Sequence, residues 1–164
     1  ATFYEILIMK KILIMGLPES GKTSLSDAIK AAYTGTVVQL NADKVREEAN
    51  DWDFTPEGRI RQANRMSDLV KEIYEMNMTL SADCRDDYVM VDFICPTVET
   101  RRLFNADIVI WCDTVKDCQY EDTNSQFQRP QFSNEKIHCY VTTKNAQFWA
   151  KHIIDTILCP ERKK

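Results

Sequence analysis

A lysine and a threonine that close a glycine-punctuated turn carry the clearest chemistry in this sequence. Gly16-Leu17-Pro18-Glu19-Ser20-Gly21-Lys22-Thr23 spaces two glycines so that the backbone can curl with its N–H groups pointing inward, where they hold phosphate oxygens. Lys22 then reaches the β- and γ-phosphates of a nucleotide, Thr23 offers its hydroxyl to Mg²⁺, and the helix starting near Gly21 adds the positive end of its dipole. The candidate nucleotide-binding set is Gly16 through Ser24, with ATP and Mg²⁺ as the implied ligands. The alternative is a plain glycine turn between a strand and a helix.

Further chemistry lies where other strands should end. Asp43 and Arg46 follow the apolar run Val37-Val38-Gln39-Leu40 at once, and in an open α/β sheet ligands sit beyond the carboxyl ends of the strands. A surface ion pair at a helix start is the competing account of these two residues. Asp92 comes near the end of Tyr88 to Ile94 and could hold a magnesium-bound water as a Walker B acid does, or it could pair locally. Arg59, Arg61 and Arg65 cluster in the first turns of a long helix, where they form either a ligand-facing set or a solvated face. His138 and His152 read as structural or exposed.

The elements that must position these groups follow from periodicity. Lys11 to Met15 is a short apolar strand leading into the loop, and Ser20 to about Tyr33 is the first helix, with Gly35 expected in a left-handed closing position. Thr55-Pro56-Glu57 gives a cap, a first-turn proline and an early acid. Ile60, Ala63, Met66, Leu69, Val70, Ile73 and Met76 then continue as one amphipathic helix. Thr97 can cap a short helix over 98–104. Ile108 to Cys112 and Ile137 to Val141 read as further strands, and 148–158 as the closing helix. Residues 114–134 lack apolar periodicity and are expected to be a lid-like segment, with Asp122-Thr123-Asn124 a turn first and a lid contact second. Strand and helix alternate throughout, which gives a doubly wound α/β sandwich with right-handed crossovers.

Composition narrows the classes. At 164 residues and 44% hydrophobic content the chain suits one globular domain, 1–164. A net charge of -4 gives no general attraction to nucleic acid or to an anionic membrane. No apolar run is long enough to span a bilayer, and the six cysteines, at 84, 95, 112, 118, 139 and 159, show no C-x-x-C spacing, so reduced thiols in a cytoplasmic protein are expected. Met9-Lys10-Lys11-Ile12 reads like a natural start, which makes Ala1 to Ile8 an extension set aside from the functional reading.

Small size and an arginine-rich helix start favour a small-molecule kinase, and Thr142-Thr143-Lys144-Asn145 does not supply the base-reading motif of a GTPase. Over residues 9–118 the sequence resembles the adenylylsulfate kinases. The pattern L-D-G-D-x-V-R appears as Leu40-Asn41-Ala42-Asp43-Lys44-Val45-Arg46, and D-L-G-F-S-x-x-D-R-x-E-N begins as Asp51-Trp52-Asp53-Phe54-Thr55. I-S-P-Y appears as Ile94-Cys95-Pro96-Thr97, and V-D-T as Cys112-Asp113-Thr114.

That resemblance implies a three-layer P-loop kinase fold, with five parallel strands ordered 2-3-1-4-5 and helices on both faces. It implies transfer of the γ-phosphate of ATP to the 3′-hydroxyl of adenosine 5′-phosphosulfate by a homodimer. By the same resemblance Lys22 and Asp43 are catalytic, with Asp43 orienting the acceptor hydroxyl or joining Thr23 and Asp92 at the metal. Arg46 and Arg59 contact the acidic group of the substrate, Phe54 stacks on its adenine, Gln62 stands where the family has an asparagine, and Ile94 and Cys95 line the acceptor side.

A hydrophobic staple is the other account of Phe54. Glu19 stands where the family usually has glycine, which brings a carboxylate close to polyphosphate unless it points outward. The family's basic lid, K-x-x-x-G-L-Y-x-K-A-R, has no counterpart between Asp113 and Pro130. Two alternatives therefore stay open. One is a kinase of another hydroxyl acceptor, such as a nucleoside, a nucleotide or a modified DNA base. The other is a nucleotide-binding module without turnover.

Overall fold

The computed structural model describes residues 8–158; Cys159 and, save for Ile8, the segment from Ala1 to Ile8 lie outside them. Strand β1 (Lys10–Met15) runs into the glycine loop and helix α1 (Lys22–Ala32). Strand β2 (Val37–Asn41) passes directly into α2 (Ala42–Ala49), and α3 (Pro56–Met78) follows. Next come β3 (Tyr88–Asp92), α4 (Val98–Phe104), β4 (Ile108–Cys112), α5 (Glu121–Gln126) and β5 (Cys139–Val141). Helix α6 (Ala146–Ile153) ends in a π turn over Ile154–Leu158.

All strand pairs are parallel, and the sheet order is β2-β3-β1-β4-β5. This is the three-layer P-loop kinase fold. Its period-2 alternation divides the core. Ile12 and Ile14 of β1 face one way, with Leu25 and Ile29 of α1 and Ile153 of α6. Leu13 and Met15 face the other way, with Ala63, Met66 and Val70 of α3 and Phe104 of α4. The sheet is covered on both faces, so its functional groups emerge only at the strand ends.

Several boundaries differ from the sequence reading. Helix α1 begins at Lys22, two residues late, because the loop occupies Ser20 and Gly21. Gly35 is not in a left-handed conformation; α1 closes on Tyr33 in an extended one. Gly35 instead permits close approach, since a Cβ there would lie 2.2 Å from Asp87 Oδ2. Strand β5 starts only at Cys139, because the Nδ1 of His138 accepts from Val109 N at 3.0 Å. Thr97 caps α4 as expected, in a capping box with Thr100. Asp122-Thr123-Asn124 lies inside α5 rather than in a turn.

Candidate active site

The phosphate loop is shaped by three residues with positive φ, Gly16 at 146°, Glu19 at 67° and Gly21 at 93°. Gly16 is sterically required, because a Cβ would stand 2.4 Å from the carbonyl oxygen of Cys112. No side chain caps α1, so the orphan N–H groups of its first turn are left for a ligand. Lys22 Nζ rests on the carbonyl of Leu17 at 2.8 Å. Burial pushes its pKa down, opposed by the negative charges around it, Asp92 and Asp43 among them. Glu19 stands on the rim of the cleft: its side chain is exposed and Oε1 accepts at 2.9 Å from Nε2 of Gln119, which also lines the cleft.

Asp92 ends β3 beside the loop. It is only 3% exposed; Oδ1 accepts from Asn41 Nδ2 at 2.8 Å, whereas Oδ2 is buried with no hydrogen-bond partner. Burial raises its pKa, opposed by the Thr23 hydroxyl, Asn41 and the Lys22 ammonium. An orphaned carboxylate oxygen beside a hydroxyl and a phosphate loop fits Mg²⁺, which takes one or two carboxylates and completes its shell with phosphates and water. Among the described residues no group of three or more His, Cys, Asp or Glu could hold a metal alone.

Across a cleft of about 830 Å³ lie Asp43, Arg46, Trp52, Phe54 and Arg59. Asp43 sits exposed in the first turn of α2. Arg46 and Arg59 are 5% and 4% exposed, which rules out a surface ion pair with Asp43. Arg46 donates to the carbonyls of Asp51 and Asp53 at 2.9 and 3.1 Å. Arg59 donates to the carbonyl of Phe54 at 3.1 Å and to Thr123 Oγ1 at 2.7 Å. Both guanidiniums lie over the Phe54 ring, at 4.7 and 5.4 Å from its centroid. Neither makes an ion pair among the described residues, and burial lowers the pKa of each.

The neighbouring arginines differ. Arg61 takes Asp51 and Asp53 at 2.8 and 3.0 Å, and Arg65 takes Asp51 at 2.6 Å. They brace the turn before α3. Gln62 lines the cleft with both amide ends occupied, by the carbonyl of Ala42 at 3.1 Å and by Arg65 at 2.5 Å. Ile94 and Cys95 also line the cleft. Cys95 is fully buried, with φ of 46°, and burial pushes its thiol up to about 12.

Residues 114–134, expected to be a lid-like segment, form a docked wall around the short helix α5. Thr114 Oγ1 donates to the carbonyl of Ser20 at 2.8 Å, Gln126 Nε2 to that of Phe54 at 3.0 Å, and Gln128 N to that of Pro96 at 2.7 Å. Arg129 grips Asp113 through two hydrogen bonds of 3.0 and 2.6 Å. Four cleft residues come from this wall: Gln119, Tyr120, Asp122 and Thr123. The sequence reading gave Asp122 and Thr123 as a turn first and a lid contact second, and did not name Gln119, Tyr120, Trp52 or Lys144 as site residues. Trp52 carried a signal, an exposed aromatic two residues from Phe54. Gln119 and Tyr120 carried none beyond their place in the lid-like segment.

Neither a protein-family model nor a curated protein sequence matches the chain. Solved structures do. The APS kinase CysC of Mycobacterium tuberculosis, in complex with AMPPNP and APS, superposes with a TM-score of 0.71 at 18% identity, covering 92% of this chain and 98% of its own. The shikimate kinase of Acinetobacter baumannii in complex with shikimate gives 0.60 at 16% identity, covering 98% and 99%. A sugar kinase from Janibacter gives 0.64 at 10% identity, covering 92% and 94%. At these identities the likeness establishes the P-loop kinase fold and leaves the acceptor to be argued from the cleft.

Proposed function

We propose that this protein is an ATP-dependent kinase that transfers the γ-phosphate to a hydroxyl of a small anionic acceptor bearing an aromatic ring, with adenosine 5′-phosphosulfate and its 3′-hydroxyl the leading candidate. The carrying observation is the pair of buried guanidiniums, Arg46 and Arg59, that flank Phe54 across the cleft from the phosphate loop without a carboxylate partner. A cation buried without an ion pair is costly, and an anionic ligand offsets that cost. The APS kinase from M. tuberculosis, whose structure contains APS, shares this fold and makes APS the first acceptor to test.

In this reading the loop from Gly16 to Ser24 cradles the polyphosphate and Lys22 neutralises the β- and γ-phosphates. Thr23 and Asp92 would hold Mg²⁺, which supplies charge neutralisation at the phosphates when bound. Asp43 orients the acceptor hydroxyl and accepts its proton as the new P–O bond forms and the bond to the β-phosphate breaks. Arg46 and Arg59 hold the acidic group, Phe54 takes the ring, and Ile94 and Cys95 back the acceptor side. Phosphoryl transfer mainly needs positioning and charge neutralisation, and these residues provide both.

Incubation of the protein with labelled ATP, Mg²⁺ and adenosine 5′-phosphosulfate should yield a 3′-phosphorylated product. Its absence at high enzyme concentration would remove that acceptor. A second acceptor class, a nucleotide of different shape, is favoured by Trp52 and Tyr120, which add two aromatic rings to the cleft lining. A panel of nucleosides and nucleotides separates the two. ATP binding without transfer to any member would leave a binding module.

A further inference from the structure

Asn41 ends β2 directly opposite Asp92, its register partner on β3, and β3 in turn pairs with β1 through Ile14 and Asp92. The amide of Asn41 is divided between two tasks. Nδ2 donates to Asp92 Oδ1 at 2.8 Å and reaches Thr23 Oγ1 at 3.5 Å. Oδ1 accepts from Lys44 N at 3.0 Å and thereby caps α2. One side chain therefore touches the threonine of the phosphate loop, the buried acid of β3 and the helix that carries Asp43 and Arg46.

Only a terminal amide can do this with a side chain of that length. Aspartate would still cap α2, yet it has no donor and would set one carboxylate against another. Serine would cap and fall short of Asp92. By occupying Oδ1, the amide also decides which oxygen of Asp92 stays unpartnered, namely Oδ2. Adjacent strands lie about 4.8 Å apart, so register partners on one face present their side chains to the same small volume.

We infer that Asn41 is a positioning residue that couples the metal side of the cleft to the acceptor helix, and that Asn41 and Asp92 form an exchangeable amide–carboxylate pair across two strand ends. The inference rests on the kinase reading above, in which Thr23 and Asp92 meet Mg²⁺. What the site requires is one carboxylate and one amide donor at this register position, on either strand.

The test is a charge exchange read by Mn²⁺ binding in the presence of AMPPNP, followed by electron paramagnetic resonance, with the melting temperature of each variant as the fold control. Asp92→Asn should weaken Mn²⁺ by about tenfold or more. The double variant Asn41→Asp with Asp92→Asn should recover to within about threefold of the unmodified protein, because the two positions act as one unit. A double variant that melts normally and binds as weakly as Asp92→Asn overturns the inference. Should the double variant not fold, Asn41→Ser decides: a roughly tenfold loss supports the role, and unchanged affinity overturns it. An unmodified protein with no Mn²⁺ affinity beside AMPPNP overturns the kinase reading as well, whereas normal binding with a failed exchange strikes Asn41 alone.

Discussion

The two sides of the cleft are built on opposite plans. The phosphate cradle of the donor side is local: β1, the loop and the first turn of α1 are contiguous over 10–24, and Gly16, Glu19 and Gly21 give the loop its positive φ angles. The acceptor side is assembled from distant pieces. Arg59 meets Thr123 across 64 residues of sequence, and Gln126 meets Phe54 across 72. A local phosphate cradle can be inherited whole by any chain that folds this way, while an acceptor pocket built of several segments can change one wall at a time.

If the plans are separable, damage to one side should spare the other. Lys22→Ala removes the loop's cation and should cost about 10²–10³ in transfer rate. The fold should survive, since the one hydrogen bond of Lys22 Nζ among the described residues is to the nearby carbonyl of Leu17. A steady-state assay beside a urea melt checks both halves of that statement. A variant that unfolds would show that donor chemistry and stability are not separable.

Thr123→Val reaches the acceptor side alone. It deletes the oxygen that accepts from Arg59 and leaves a buried guanidinium N–H without a partner, at a cost of about 1–3 kcal/mol. The expected signature is a rise of about tenfold in acceptor KM, with ATP affinity unchanged because no bond of Thr123 touches the loop. Equal losses in ATP affinity and acceptor KM would merge the two sides into one cooperative unit.

The same contrast explains what could be read from sequence. The loop, the caps at Thr55 and Thr97 and the buried runs in β3 and β4 were legible because each depends on neighbours in the chain. The strand order was legible too, through the resemblance. Arg46 and Arg59 could be named from the sequence, but not that they would lack ion pairs while Arg61 and Arg65 are spent on Asp51. All four are arginines near acids, and only three-dimensional packing separates them. The docking of the wall, unlike its place as a lid-like segment, was illegible for another reason. Helix α5 is six polar residues, EDTNSQ, with no apolar stripe, and its docking rests on hydrogen bonds whose partners lie far away in sequence.

A gentler way to loosen the wall is at its ends, where Arg129 and Tyr140 hold Asp113. These contacts, that of Arg129 foremost, lower the Asp113 carboxyl below its ordinary value of 3.8. A carboxyl with a depressed folded-state pKa contributes stability above its unfolded pKa and loses it as pH falls through the folded one. Arg129→Gln should therefore destabilise by up to about 1 kcal/mol at neutral pH, given that Arg129 is 57% exposed and screened. The gap between variant and parent in urea melts should close as pH drops below about 4 and shrink in high salt. A gap that persists in acid would assign the effect to the packing of Arg129 over Trp111 instead.

The smallest effect is expected where the two sides touch, at Glu19. Its φ of 67° costs a non-glycine residue about 1 kcal/mol or more, and the hydrogen bond from Gln119 compensates in part. Glu19→Gly relieves the backbone, but it raises the entropy of the unfolded chain by about 0.4–1 kcal/mol and frees Gln119 from the loop. These terms nearly cancel, so stability should move by no more than a few tenths of a kcal/mol in either direction. Nucleotide affinity is the sharper readout. Removal of an exposed carboxylate from the rim of a phosphate cradle should tighten ATP by about two- to fivefold, and the gain should diminish as salt is added. A loss of affinity would mean that the Glu19–Gln119 contact holds the loop in its binding shape, and that the donor side depends on the wall after all.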